Sequence, residues 1–335
     1  MAVRAISDEE QDSARYLDAY LAPLLPMLAR LDVTDIFINQ PGEVWIETMS
    51  GALEQLDCPE LDESQLWHLV RQIASLSHQG ISRAHPLLAA TLPDGSRVQV
   101  VAPPATRGAM AVAIRKHVVP DLTLADYIGG GAFDAAGFSR GPEQRPPLAA
   151  PTSQEPGELA RYLADMVRAK ANIMISGGTS TGKTTFLNAL IKEIPEHERL
   201  ILIEDTPELL MHHANGLGLL AVKGELGEAR VSTDDLLQAA LRMRPDRIIL
   251  GELRGIEAYS FLRAVNTGHP GSLTTIHADS PEGALEQLAL IVLQSGTQLR
   301  REDIVHYASQ VVDIIVQLER KDGVRRISRI LLTRG

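Results

Sequence analysis

The stretch ANIMISGGTSTGKTT, residues 171–185, decides the fold class of this chain of 335 residues. Its first part is a short apolar run with the composition of a buried strand, and the residues from Lys183 onward, KTTFLNALIKEI, have the pattern of a helix. The segment between them fits G-x-x-x-x-G-K-[ST] through Gly177, Gly182, Lys183 and Thr184. Strand, glycine-rich loop and helix in this order predict a P-loop.

The residue types in this loop suit a triphosphate. Small side chains let backbone N–H groups converge on phosphate oxygens, and the start of a helix adds its positive end. Lys183 is expected to reach the β- and γ-phosphates, and the Thr184 hydroxyl is expected to coordinate Mg²⁺. ATP and Mg²⁺ are therefore the predicted ligands. The predicted nucleotide-binding residues of the loop are Gly177, Gly178, Thr179, Ser180, Thr181, Gly182, Lys183, Thr184 and Thr185.

Around the loop, helical and strand patterns alternate, which is typical of a mostly parallel sheet covered by helices. We predict helices at 158–170, 183–193, 232–243, 255–266 and 281–294, with strands at 172–176, 200–204, 247–251 and 272–276. A closing hairpin turns at Lys321-Asp322-Gly323. This part of the chain is therefore predicted to be an α/β domain.

The first third of the chain has a different pattern. Alternating residues at 32–47 predict a hairpin, an amphipathic helix follows at 62–79, and more strands are expected within 91–117. Residues 141–157, GPEQRPPLAAPTSQEPG, have the composition of a linker. We therefore predict a smaller α+β domain at 1–140, a linker at 141–157 and the P-loop domain at 158–335.

Composition narrows the location and the function class. The net charge of −11 argues against a protein that coats nucleic acid, and we expect no sequence-specific nucleic-acid binding. Cys58 is the one cysteine, so no internal disulfide or cysteine-based zinc module is expected. Neither a signal-peptide pattern nor an apolar run of about 18 residues is seen. The prediction is a cytoplasmic protein that meets membranes through partners.

Hydrolysis needs more than a P-loop, and two acids occur where a parallel sheet would bring them near the nucleotide. Glu204 ends the apolar run LILIE, and Glu252 follows RIILG. We assign Glu204 as the general base or water-orienting residue, and Glu252 as the acid that holds Mg²⁺ through water. The reverse assignment stays open. Lys183, Glu204 and Glu252 are thus the predicted catalytic residues, with Thr184 and Glu252 at the metal.

Two histidines follow these acids. His277 comes after the apolar run SLTTI, at the same strand-end level as the acids, where it could bond a γ-phosphate and respond to its loss. His269 follows a glycine at a predicted helix end, and for it capping and function are equally supported. A separate feature lies in the first domain, where residues 95–120 contain no acid but include Arg97, Arg107, Arg115 and Lys116. We predict that this stretch receives an anion.

Together these segments resemble the secretion-ATPase superfamily, the hexameric RecA-like motors of type IV secretion, type II secretion and type IV pili. Residues 177–185, 199–209, 241–259 and 266–281 are similar, in order, to its P-loop, acidic box, Walker B segment and histidine box. Residues 32–47 and 96–117 are similar to the amino-terminal domain of the VirB-type traffic ATPases. The resemblance covers nearly the whole chain, and the Gly-Glu ending of the Walker B strand is usual for this superfamily.

The resemblance implies ATP hydrolysis by a homohexameric ring at the cytoplasmic face of the inner membrane. The partners would be other components of a type IV secretion or conjugation apparatus, including other ATPases, in substrate export and pilus biogenesis. It also implies that ATP binds between the two domains, that His277 senses phosphate, and that Arg97 and Arg115 reach the nucleotide. Arg242 and Arg244 are candidates for a subunit interface.

Four alternatives stay open from the sequence. One alternative is a tight-adherence pilus ATPase, because such proteins share much of the sequence of the LRMRPDR and NTGH segments. A nucleotide-gated scaffold would bind ATP and assemble with little turnover, which these residues also permit. A small-molecule kinase would need a lid, and no Arg-rich insertion between the motifs supplies one. A DNA-translocating motor is disfavoured by the acidic net charge.

Overall fold

The computed structural model describes residues 17, 19–116, 148–222, 230–321 and 324–333. These residues form two sheets, one of six strands and one of seven. Within the described part of the chain, no helix has the length and apolar character needed to cross a membrane. The two sheets come from consecutive parts of the sequence, so we describe them in turn.

The first sheet is antiparallel, with the order β3-β2-β1-β6-β5-β4. Its strands are β1 (Val33–Ile38), β2 (Glu43–Thr48), β3 (Leu53–Asp57), β4 (Leu87–Thr91), β5 (Arg97–Val101) and β6 (Ala111–Arg115). A 3₁₀ turn at Ala22–Leu24, helix α1 (Leu25–Ala29) and helix α2 (Glu63–Leu76) join it. Alternating strand residues such as Ile36 and Ile114 pack with Leu69 of α2, so the sheet buries one face against the helices.

The second sheet has the order β13-β12-β7-β11-β10-β8-β9, and only β13 among these strands pairs antiparallel. The strands are β7 (Ile173–Gly177), β8 (Leu200–Glu204), β9 (Gly216–Leu220), β10 (Arg247–Leu250), β11 (Leu273–Ile276), β12 (Ile314–Lys321) and β13 (Val324–Leu332). The helices are α3 (Pro156–Arg168), α4 (Lys183–Ile191), α5 (Thr233–Ala240), α6 (Glu257–Asn266), α7 (Pro281–Gln294) and α8 (Arg301–Val311). Apolar clusters lie on both faces of this sheet, as expected for parallel strands.

The predicted α/β class with a smaller α+β unit is confirmed, and the predicted order of elements is largely observed. Helix α3 starts at Pro156, two residues before the predicted start, because proline is favoured in a first helical turn. Strands β3 and β9 and helix α8 were not predicted from the sequence. The predicted boundary at residue 140 and residues 141–147 of the predicted linker fall outside the described residues, so the domain limits stay a prediction.

Parallel pairing decides where the site forms. Strands β7, β8, β10 and β11 are neighbours in the sheet and point the same way, so their carboxyl ends share one edge. The residues at or just after these ends are Gly177, Glu204, Glu252 and His277. Sheet topology therefore collects the P-loop, both acids and the histidine at one edge, although about a hundred residues separate them in sequence.

The two sheets of the chain pack through one shared apolar cluster, which includes Ala113 of the first and Ile201 of the second, and through polar contacts around Arg199. The Arg199 guanidinium lies 3.9 Å from the centre of the Phe37 ring, and its Nη1 donates to Asn39 at 3.0 Å. Arg244, a candidate for a subunit interface, donates to Glu47 of β2 at 2.9 Å within the same chain. Its place at a subunit interface stays a prediction. These contacts hold the first domain against the amino-terminal side of β8 and β10.

Candidate active site

The P-loop has the backbone that its sequence predicts. Ser180 and Gly182 have φ angles of 63° and 93°, so the loop turns through two left-handed residues before α4 begins at Lys183. A Cβ on Gly177 would meet the Leu318 carbonyl oxygen at 2.8 Å and Thr181 Oγ1 at 2.6 Å. Glycine is therefore required where the loop leaves β7, because the neighbouring strand β12 lies so close.

Lys183 is buried and turned back over the loop. Its Nζ donates to the carbonyl oxygens of Gly177 at 2.9 Å and Gly178 at 3.1 Å, and it lies 3.2 Å from Nδ1 of His277. Burial lowers the pKa of Lys183, while the charge of Glu252 acts in the opposite direction. The ammonium group is thus held over the phosphate-binding loop by groups that a phosphate oxygen could replace.

His277 and Glu252 form the next contact. Nε2 of His277 lies 2.8 Å from Oε1 of Glu252, and the other carboxylate oxygen of Glu252 forms an ion pair with Arg254. Arg254 also approaches Asp205, with 3.7 Å between Nη1 and Oδ2. The hydrogen bond to Glu252 raises the pKa of Arg254. Lysine, histidine, glutamate and arginine therefore make a continuous polar row along the strand ends.

Glu204 is held more rigidly than Glu252. Its side chain is 3% exposed, and its Oε1 accepts hydrogen bonds from the backbone N–H groups of Glu208 at 2.9 Å and Leu209 at 2.7 Å. Its Oε2 contacts the guanidinium of Arg107, which comes from the loop between β5 and β6. A buried carboxylate with two N–H donors and one arginine is stabilised in its ionised form and fixed in direction.

The residues also fit a magnesium ion. Thr184, Glu204, Asp205, Glu208 and Glu252 line one small cavity of about 80 Å³ beside the P-loop. Within the described ranges, no group of three or more His, Cys, Asp and Glu side chains is arranged to hold a metal by itself. Mg²⁺ usually takes few protein ligands and fills its other positions with water and substrate phosphates. The Thr184 hydroxyl and the nearby Glu252 carboxylate make such a donor set.

Arg97 and Arg115 lie elsewhere in the chain. They pair in register across β5 and β6 and line a recess with Leu241 and Arg242, which precede β10. That recess is on the amino-terminal side of the parallel strands, opposite the P-loop edge. Nε of Arg115 donates to Asp35 at 3.0 Å. The structure therefore does not bring the two arginines to the P-loop of their own chain.

Arg107 and Arg254 are site residues to which the sequence analysis gives no role. Arg107 comes from the first domain. It belongs to the same acid-free stretch as Arg97 and Arg115, and it is the arginine of the three that lies at the P-loop edge of its own chain. The second predicted histidine, His269, lies at the end of α6, where its Nδ1 is 3.1 Å from the Ala264 carbonyl oxygen. The capping interpretation fits that contact.

The chain is similar to known proteins over most of its length. Residues 18–322 match the family described as Type II/IV secretion system protein. The chain is 36% identical over 326 residues to the type IV secretion system protein VirB11 of Bartonella quintana, covering 92% of this chain and 91% of the relative. It is 40% identical over 329 residues to VirB11 of Brucella suis, covering 95% and 90%.

A third relative and a solved structure agree with these matches. The PtlH homologue of Bordetella bronchiseptica is 38% identical over 324 residues, covering 95% of this chain and 94% of the relative. The crystal structure of the Brucella suis VirB11 ATPase with sulphate has a TM-score of 0.86, 36% identity and 97% coverage of both chains. The resemblance to the secretion ATPases and the predicted fold class are thus confirmed. The chain belongs to the Type II/IV secretion system protein family.

Proposed function

We propose that this chain hydrolyses ATP to ADP and phosphate with Mg²⁺ and energises a type IV secretion system. The observation that carries the hydrolysis is the polar row of Lys183, His277 and Glu252 beside the P-loop, with the buried Glu204 lining the same cavity as Thr184 and Glu252. A binding protein needs the loop alone, whereas hydrolysis also needs acids at the phosphate end.

Each residue has a role in this proposal. The ammonium of Lys183 and the backbone of residues 177–185 bind the phosphates, and His277 bonds the γ-phosphate. Thr184 and Glu252 would hold Mg²⁺, which when bound neutralises charge on the phosphate oxygens. The carboxylate of Glu204 accepts a proton from the water that attacks the γ-phosphorus, as the bond to ADP breaks. We assign the role of general base to Glu204 because the two hydrogen bonds to its Oε1 fix the direction of its carboxylate.

Arg97 and Arg115 are proposed to act on a nucleotide held by a neighbouring subunit. Arg115 is 47% exposed, and the recess that it shares with Arg97 and Arg242 is wide enough for an anion, at about 610 Å³. Because these arginines lie on the side opposite their own P-loop, a ring of subunits supplies the arrangement in which they meet phosphate. ATP would then bind between a P-loop domain and a first domain of adjacent chains.

The wider setting is proposed from the relatives. Three of them are named as type IV secretion system proteins, which favours that system over the tight-adherence pilus alternative. We propose a homohexamer on the cytoplasmic face of the inner membrane. Other secretion-system components, including other ATPases, would hold it there for substrate export and pilus biogenesis. The acidic net charge supports the absence of sequence-specific nucleic-acid binding.

The test is the ATPase rate per subunit against protein concentration, with mass by light scattering on the same samples. The expected result is a rate that rises as a species of about six subunits forms, with Lys183→Ala inactive at every concentration. Lys192→Ala, an exposed lysine just beyond the same helix, is the matched control and should keep the wild-type rate. Negligible turnover in a fully assembled, ATP-bound ring would favour the scaffold instead.

A further inference from the structure

A short piece of the first domain pairs with the edge of the second sheet. The backbone N–H of Leu220 donates to Ala105 at 3.0 Å, the N–H of Arg107 donates to Gly218 at 3.1 Å, and Thr106 forms an antiparallel bridge with Leu219. Residues 105–107 therefore continue the sheet beyond β9. The strand they extend lies directly beside β8, which ends at Glu204.

The side chain of Arg107 crosses β9 above Gly218. A Cβ at position 218 would lie 2.5 Å from Cδ and 2.8 Å from Nε of Arg107, so the glycine provides the space for this crossing. Beyond it, Nη1 donates to the Leu209 carbonyl oxygen at 2.9 Å, and Nη2 contacts Oε2 of Glu204. The arginine thus reaches from one domain to an acid at the P-loop edge of the other.

We propose that Arg107 is a positioning residue for hydrolysis, which fixes Oε2 of Glu204 and makes the state of that acid depend on the docking of the first domain. The inference rests on the proposed function, in which Glu204 accepts the proton of the attacking water. Arg107 acts through Glu204 and need not touch ATP.

The physical reason is the burial of Glu204. A carboxylate that is 3% exposed is costly to keep ionised unless donors and an opposite charge surround it. Two backbone N–H groups serve Oε1, and Arg107 is the cation that meets Oε2. Without Arg107, Glu204 would hold a proton over a wider pH range and its Oε2 would lose its fixed direction.

The first experiment compares Arg107→Ala, Arg107→Lys and wild type in kcat, KM for ATP and the pH dependence of kcat. Arg107→Ala should lower kcat by about ten- to a hundredfold, the usual effect of losing one hydrogen bond to a charged group, with little change in KM. The acid limb of its pH profile should move to higher pH, because the ionised acid has lost its cation. Arg107→Lys should restore part of kcat.

The control is Arg71→Ala, in the same domain, where the arginine lies 5.5 Å from the Trp67 ring and away from the site. It should leave kcat and the pH profile unchanged. A lowered kcat with an unshifted acid limb would indicate a general effect on the fold and would count against the inference. An unshifted limb with a rate close to wild type would overturn the inference.

A second variant removes the contact and keeps the arginine. Gly218→Ala places a methyl group where Arg107 passes, so it should reproduce the Arg107→Ala profile in a chain that still carries the charge. In the double variant, Arg107→Ala with Gly218→Ala, the long side chain is gone and the new methyl group has room. Gly218→Ala should therefore lower kcat no further than Arg107→Ala alone. Additive losses would mean that the two residues act separately and would overturn the inference. This cycle can also be run with Arg107→Lys if Arg107→Ala does not fold.

The outcome for Glu204 separates the two proposals. If Glu204→Gln keeps the wild-type rate, its role in the proposed function fails, whatever Arg107 does. If Glu204→Gln is inactive while Arg107→Ala and Gly218→Ala behave as wild type, the proposed function stands and the inference alone is wrong.

Discussion

Nζ of Lys183 lies 3.2 Å from Nδ1 of His277, so the P-loop helix and the strand end of the histidine are in direct polar contact. His277 is 47% exposed, and its other ring nitrogen lies 2.8 Å from Glu252. The histidine therefore stands between the phosphate-binding lysine and the proposed metal-side acid. An exposed ring in this position is suited to exchange one partner for a phosphate oxygen.

His277→Ala should lower kcat by about ten- to a hundredfold while ATP binding persists, because one hydrogen bond to a charged phosphate is lost and the P-loop stays intact. Steady-state hydrolysis and binding of a fluorescent ATP analogue measure the two effects. His306→Ala, an exposed histidine on α8, is the control. A wild-type rate in His277→Ala would remove the histidine from the mechanism.

Glu204→Gln should retain ATP affinity and lose about 10²–10⁴ in rate, the usual contribution of a general base. The amide keeps the size of the side chain and can still accept at Oε1, but it cannot take the proton from water. The measurement is single-turnover hydrolysis beside equilibrium binding. Loss of binding together with rate would instead make Glu204 a structural residue.

Glu252→Gln provides the complementary measurement. If Glu252 holds Mg²⁺, its amide variant should need a higher Mg²⁺ concentration for half-maximal rate, whereas Glu204→Gln should not. The opposite pattern would support the reverse assignment of the two acids.

Mixing two inactive variants tests whether Arg97 and Arg115 act on a neighbour. The first chain carries Lys183→Ala, and the second carries Arg97→Ala with Arg115→Ala. In rings assembled from equal amounts, roughly a quarter of the sites would combine an intact P-loop with a neighbour's intact arginines. ATPase activity should therefore reappear on mixing. If the arginines serve their own chain, no site is complete and the mixture stays inactive.

A buried ion pair sets an expectation for stability. Arg247, which is fully buried, donates to both carboxylate oxygens of Glu198, at 2.7 Å and 2.8 Å. Arg247→Met leaves Glu198 buried without its main cation and should cost about 3–5 kcal/mol in the free energy of unfolding. Arg161→Ala removes an exposed pair on α3 and should change it by no more than about 1 kcal/mol. Urea unfolding of both variants measures the difference.

The same pair should make stability depend on pH. Burial opposes the ionisation of Glu198, but its bonds to Arg247 and Lys170 outweigh that effect and lower its pKa. Its stabilising contribution is therefore complete above the unfolded pKa of about 4.3 and is lost as pH falls through the lower folded pKa. The stability gap between wild type and Arg247→Met should accordingly be full at neutral pH and shrink below about pH 4.

Local patterns predict most of the residues that the sheet brings together at the P-loop edge. Glu204, Glu252 and His277 were found because each follows an apolar strand, and parallel strands end together. Arg107 could not be assigned in that way. Its place depends on β9, whose sequence GLGLL contains two glycines and was not recognised as a strand. The pairing of residues 105–107 with β9 is a contact between distant parts of the chain, which no local spacing reveals.

Arg97 and Arg115 show a second limit of prediction from the sequence. Their strands and their exposure were predictable from alternation, but the side of the second sheet that they face depends on how the domains dock. That docking rests on a shared apolar cluster, on the pairing of residues 105–107 with β9, and on individual long-range contacts such as Arg199 against Phe37 and Arg244 with Glu47. Neither contact has a periodic signature in the sequence.

The pairing of residues 105–107 with β9 also bears on solubility. β9 is the last strand of its sheet, and an uncovered last strand presents a row of N–H and C=O groups that recruits strands from other molecules. Here the first domain occupies part of that row, with Thr106 bridged to Leu219. A P-loop domain produced without residues 105–107 would therefore expose an unpaired edge strand. By covering part of that edge, the first domain also protects the chain against aggregation.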